Sequence, residues 1–157
     1  MSGIIKKGEN MFSVKDIKKA INTVLKNSFS QIDIQSRDVE KGFKRPSFFV
    51  RLDNIRSEGG VYYTFREMTC RILYFAQDRY ESSIENMDTA TILMGLFGLN
   101  FTVVNDEGKT KVITISDSRA QLVDQVLEFE FDFSFYQDNG VEDVSDLMQE
   151  LELNNDG

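Results

Sequence analysis

Between Leu127 and Phe135 every second residue is large and apolar: Leu127, Phe129, Phe131, Phe133 and Phe135. Glu128, Glu130, Asp132 and Ser134 fill the positions between them. Side chains alternate between the two faces of a β-strand, so this run predicts a strand with one face buried and the other polar. An α-helix would scatter the phenylalanines around its whole circumference. The run therefore requires a sheet with something packed against one face.

The rest of the chain supplies what such a sheet needs. Ser13 precedes Val14, Ile17, Ala20, Ile21, Val24 and Leu25, whose spacing predicts an amphipathic helix to about Phe29. Asp16 stands three residues after Ser13, a variant of the capping box. The other side of this helix carries Lys15, Lys18, Lys19 and Lys26, read as a solvated face or a surface toward acidic neighbours. Residues 31–35 alternate and predict a short strand. A second strand is expected over about Ser47–Ile55, then a polar loop closing in Gly59-Gly60. Val61 to Phe75 predicts a long strand, with Tyr62, Met68, Cys70, Ile72 and Tyr74 on one face and Phe65, Leu73 and Phe75 on the other.

A second helix is expected from Glu81 to about Phe97. Its stripe of Ile84, Met87, Ala90, Thr91, Met94 and Phe97 is assigned to the core in preference to an adaptable, methionine-bearing binding face. A hairpin over residues 101–115 and a turn near Asp117-Ser118-Arg119 lead into the final strand. The expected order is α-β-β-β-α-β-β-β. The fold class is α+β, a largely antiparallel sheet with two helices packed on one face and an acidic C-terminal extension. The length of 157 residues fits one domain. The expected boundaries are a flexible leader over 1–12, the α+β domain over 13–137 and an acidic tail over 138–157.

Composition narrows the chemistry. The chain has no histidine, which removes the commonest general base and metal ligand. Its one cysteine, Cys70, lies in an alternating run and reads as a small core residue. No apolar run approaches the roughly 18 residues of a membrane span, and the lysines following Ile4-Ile5 do not fit a signal peptide. The formal net charge is −8. Seven acids and no Lys or Arg lie from Asp138 onward, so the remainder is almost neutral. An acidic balance argues against a dedicated nucleic-acid binder.

Two groups of residues stand out. Phe43, Lys44, Arg45, Pro46, Phe48, Phe49 and Arg51 interleave basic and aromatic side chains. Such a mixture suits an interface, and also single-stranded nucleic acid. Pro46, the one proline, makes a rigid lead into the following strand. Glu128, Glu130 and Asp132 stand about 7 Å apart at each step along one strand face. They read as a solvated, lumen-facing or interface surface, or as oxygen ligands for Mg²⁺ or Ca²⁺ if neighbouring strands add more. No cofactor is expected.

The opening helix, the segment Glu-Lys-Gly-Phe-Lys-Arg-Pro-Ser-Phe-Phe-Val-Arg-Leu (40–52), the strand Tyr-Tyr-Thr-Phe-Arg-Glu-Met-Thr-Cys-Arg-Ile-Leu-Tyr-Phe (62–75), the second helix and the closing Glu-Phe-Glu-Phe-Asp-Phe-Ser-Phe-Tyr strand (128–136) together resemble the tail terminator family of long-tailed phages and phage-tail-like particles. The resemblance spans roughly Ser13 to Tyr136. It implies a non-enzymatic structural protein of a virion tail, or of a headless bacteriocin-like contractile particle, assembled in the host cytoplasm. Such a protein caps the tail tube as a homo-oligomeric ring, usually hexameric, stops tube growth and offers a docking surface, or collar, to neck and head. Its partners would be further copies of itself, the tube protein, the sheath and the neck or head connectors, with DNA passing through without specific binding. The basic-aromatic segment would then face a neighbouring subunit or the tube, with Lys44, Arg45 and Arg51 meeting acidic groups of the adjacent subunit. The alternatives are another head–tail connector or completion protein, a cytosolic adaptor using the acidic tail, and a carboxylate enzyme built on Glu128, Glu130 and Asp132.

Overall fold

In the computed structural model, which describes residues 11–35 and 44–141, the alternating run forms strand β6 (Val126–Asp138) in the middle of a six-stranded sheet. The other elements are α1 (Val14–Ser28), β1 (Asp33–Gln35), β2 (Ser47–Gly59), β3 (Tyr63–Phe75), α2 (Ser83–Leu96), β4 (Asn100–Val104) and β5 (Thr110–Val123). The strand order is β1-β2-β3-β6-β5-β4. Every pairing is antiparallel except β1 with β2, which is parallel. The element order matches the expectation from sequence.

Helix α1 packs against both β2 and β4, which have three strands between them in the sheet order. The sheet must therefore curl around the helix. Ser13 caps α1 with a full capping box: its Oγ accepts from Asp16 N at 3.1 Å, and Asp16 Oδ2 accepts from Ser13 N at 2.9 Å. Ile17, Ile21 and Leu25 face inward and are buried. On the concave face, Leu127, Phe129, Phe131, Phe133 and Phe135 join Phe48, Val50, Met68, Cys70, Ile72 and Tyr74 in one core. Phe97 stacks on Phe131 with centroids 4.7 Å apart, and Phe101 meets Phe133 edge-on at 5.2 Å.

Four expectations change. The second helix does not bury the Ile84-Met87-Met94 stripe. Its inward side carries Ser82, Asn86, Thr89, Leu93 and Phe97, while Ile84, Met87, Thr91 and Met94 are exposed. The reason is that buried polar groups are acceptable when hydrogen-bonded, and Asn86 Nδ2 donates to Ser82 Oγ and to Gln125 O, each at 3.2 Å. Of the stripe assigned to the core, Phe97 is buried and Ala90 half-buried against it, and apolar spacing misplaces the other four residues.

The expected turn at Asp117-Ser118-Arg119 is strand. A register shift between Ile115 and Asp117 carries β5 onward, and the chain reverses instead at Asp124-Gln125, both at positive φ. That is the backbone of a tight hairpin turn built without glycine.

The polar loop over residues 53–60 is also strand. A bulge between Asp53 and Arg56, with Asn54 at φ 51°, lets β2 continue to Gly59. The β2–β3 hairpin is thus a long arm.

Phe12, assigned to the leader, is a core residue, and its N–H donates to the buried Gln137 Oε1 at 2.9 Å. Asp138, assigned to the tail, ends β6. The leader over residues 1–10 and the acidic extension from residue 142 lie outside the described residues.

Candidate functional site: a charged ladder and a basic segment

The convex face of the sheet presents charged residues in register. Arg51, Arg71, Glu130 and Arg119 are neighbours across β2, β3, β6 and β5. The next row holds Asp53, Thr69, Asp132 and Asp117. Three of the four residues in one row are cationic, and three in the next are anionic, so the two rows largely offset each other.

Glu130 is the hub. Its Oε1 lies 2.6 Å from Arg71 Nε and its Oε2 2.6 Å from an Arg119 guanidinium nitrogen. It is only 9 % exposed although it stands on the open side of the sheet, because the two arginines cover it. Arg71 also reaches Asp53 at 3.7 Å, and Arg51 lies 2.9 Å from the same carboxylate. Asp132 accepts from Thr69 Oγ1 at 2.7 Å and from Arg119 at 3.1 Å. Burial pushes the Asp132 carboxyl upward, but the Thr69 and Arg119 hydrogen bonds outweigh it and hold the group below the usual carboxylate range. Arg119 is held above its ordinary value, first by the Asp132 hydrogen bond. Glu128 takes a hydrogen bond from Gln121 Nε2 at 3.0 Å.

Glu128, Glu130 and Asp132 do share one face, as their spacing requires. Two of the three are engaged by arginine, which alters the expected bare acidic surface to a mixed ladder. Among the described residues no group of three or more His, Cys, Asp or Glu is placed to hold a metal ion.

The basic-aromatic segment divides. Phe43 lies outside the described residues. Lys44 is exposed and stands 3.7 Å from Asp33. Arg45 donates to Ala76 O at 3.0 Å and lies 5.8 Å from the centroid of the Phe75 ring. Pro46 follows a cis peptide bond and is half-buried. Phe48 faces inward, fully buried between Phe29 and Tyr74 with centroids 5.0 and 5.1 Å away. Its aromatic ring belongs to the core and is not available to a partner, which corrects its place in the interface set. Phe49 is half-buried opposite Leu73, and Arg51 joins the ladder described above. The segment therefore offers Lys44, Arg45, Pro46, Phe49 and Arg51 to the surface.

Sequence reasoning misses the tip of the β2–β3 hairpin with Val61, Tyr62 and Tyr63, and it places the exposed apolar side of α2 in the core in preference to a binding face. The Gly59-Gly60 pair marks the hairpin, but nothing in the local pattern shows how far it projects. Among the described residues no helix is long and apolar enough to cross a membrane.

No curated protein matches the chain. One solved structure aligns with 85% of this chain and 100% of its own at 13% identity and a TM-score of 0.40. A family model described as phage tail terminator protein matches residues 16–145, most of the chain and nearly all of the described fold. The chain belongs to the phage tail terminator family, a structural family of the phage tail.

Proposed function

We propose that the protein caps the end of the tail tube as a homo-oligomeric ring, stops tube growth and presents the surface on which neck or head components dock. The family match over residues 16–145 carries this reading. The protein acts by binding and not by catalysis. Its partners are further copies of itself, the tube protein and, in a contractile particle, the sheath. The particle assembles in the host cytoplasm.

The sheet supports the reading in two ways. A mixed ladder that ties four strands together gives a stiff plate, as a ring subunit under load requires. Arg51, Arg56, Arg71 and Arg119 each lie within ion-pair distance of carboxylates of the same chain. Arginines so engaged are not free to grip phosphate, and DNA can pass without specific binding. Lys44, Arg45, Pro46 and Phe49 form the subunit or tube contact, with Lys44 and Arg45 turned to acidic groups of the neighbour and Arg51 held beside them by Asp53.

The test is co-sedimentation with cognate tail tubes. The protein should pellet with tubes at a fixed low ratio to tube subunits, as end binding requires. Arg45→Glu should reduce the bound fraction at least tenfold while leaving the fold intact. Binding in proportion to tube length, or none at all, contradicts the proposal.

A further inference from the structure

Two exposed apolar surfaces stand at opposite ends of the sheet. The first is the tip of the β2–β3 hairpin, where Val61 is 70 %, Tyr63 58 % and Tyr62 39 % exposed. The tip is rigid. Asn139 Nδ2 donates to Gly60 O at 2.8 Å, Asn139 N donates to Tyr62 O at 2.8 Å, and Thr64 Oγ1 donates to Asn139 Oδ1 at 2.7 Å. Among the described residues no side-chain hydrogen bond or ring contact engages Tyr62 or Tyr63. A held turn with free aromatic rings is preorganised for contact.

The second surface is the outer side of α2, with Ile84 74 % and Met87 56 % exposed. Beside it lies a shallow pocket of about 290 Å³ lined by Asn86, Met87, Ala90, Leu122 and Leu127, among others. Asn86 is 1 % exposed, and its Oδ1 has no hydrogen-bond partner. A buried amide carbonyl without a donor is unfavourable until something supplies one. The pocket thus asks for an apolar group ending in an O–H or N–H.

We infer that the hairpin tip of one copy seats in the α2 pocket of the next copy, with the Tyr63 ring against Met87, Ala90 and Leu122 and its hydroxyl donating to Asn86 Oδ1. Tyrosine has the required form, an apolar ring with a polar end. Polarity agrees. The tip lies beside the C-terminal end of β6, where Tyr63 pairs with Asp138. The pocket lies beside its N-terminal end, where Asn86 reaches Gln125. A strand of this length separates them by about 40 Å. Surfaces that differ and sit at opposite ends make a head-to-tail contact, which closes into a ring when the rotation per copy allows. The ring rests on the tail terminator reading above, whereas the pairwise contact does not.

Disulfide trapping of the full chain tests this without removing the contact residues. In a Val61→Cys, Ile84→Cys variant, mild oxidation should give a covalent ladder beyond dimer on a non-reducing gel. Either cysteine alone should give dimer at most. Adding Tyr63→Ala, an exposed position, should slow the ladder at least tenfold, and Met87→Lys should do the same from the other side. Circular dichroism should show both variants folded. No ladder, a ladder indifferent to Tyr63→Ala and Met87→Lys, or one formed as fast by Val61→Cys with Lys26→Cys would overturn the contact. Loss of the ladder with tube binding intact would sink the contact and leave the terminator reading standing. A ladder in a protein that ignores tubes would do the reverse.

Discussion

Arg71 and Glu130 face each other directly across β3 and β6, Nε to Oε1 at 2.6 Å, with Arg119 closing on the same carboxylate from β5. One acid thereby joins three strands on the side of the sheet that carries no helix. Removing a shielded carboxylate from between two cations costs more than breaking a fully solvated pair, because the cations are left without their partner. Glu130→Gln is expected to lower stability by about 1–3 kcal/mol, since both arginines lose their shared partner but retain Asp53 and Asp132. Glu128→Gln, which touches only Gln121 by hydrogen bond, should stay within about 0.5 kcal/mol. Urea midpoints at unchanged slope separate the two.

Acid should weaken the same ladder. The folded Asp132 carboxyl titrates below the usual range, so under acid conditions the unfolded chain binds a proton that the folded chain does not. Stability therefore rises with pH through that window, and the contribution is lost as pH falls from about 4 through the lowered folded value. Asp132→Asn should flatten this part of a stability–pH curve measured by thermal unfolding. An unchanged slope would count against the assignment.

Adjacent residues on α2 should respond in opposite ways. Leu93 is fully buried and Met94 is not. Leu93→Ala is expected to cost about 2–5 kcal/mol by leaving a cavity. Met94→Ala should change stability by no more than about 0.5 kcal/mol. Comparable losses would mean that the apolar stripe read from the sequence is buried after all.

Cys70 should be silent in the native protein. It is fully buried, and burial, with a smaller contribution from Asp53, pushes its thiol well up. A thiol reagent should label it only on unfolding, at a rate that follows denaturant. Rapid labelling without denaturant would show that the core opens locally.

Gly60 is needed for the hairpin tip. A Cβ there would stand 2.6 Å from the carbonyl oxygen of Tyr63, a backbone atom that cannot step aside cheaply. Gly60→Ala should cost more than about 1 kcal/mol and should disturb the Asn139 bonds that hold the turn. Gly59→Ala meets nothing within 4 Å and serves as the control.

What could be read from the sequence follows from how local each signal is. The Leu127–Phe135 alternation and the Ser13–Asp16 box are fixed by nearest neighbours, so β6 and α1 were legible. The α2 face was not, because its inward side is built from Asn86 and Thr89, whose fitness for burial depends on partners far along the chain such as Gln125. The Asp124–Gln125 turn carries no glycine signal. The ladder lay half in view: the acids on β6 were evident, but their pairing with Arg71 and Arg119 is a matter of strand register. In the basic segment, Phe48 and Phe49 look alike in sequence, and only the strand's facing sends one into the core.

The most direct measurement of the central claim is electron microscopy of cognate tube protein polymerising with and without this chain. The account predicts shorter tubes of narrow length distribution, each bearing extra ring density at one end. Bare ends and unchanged lengths at saturating protein would contradict it.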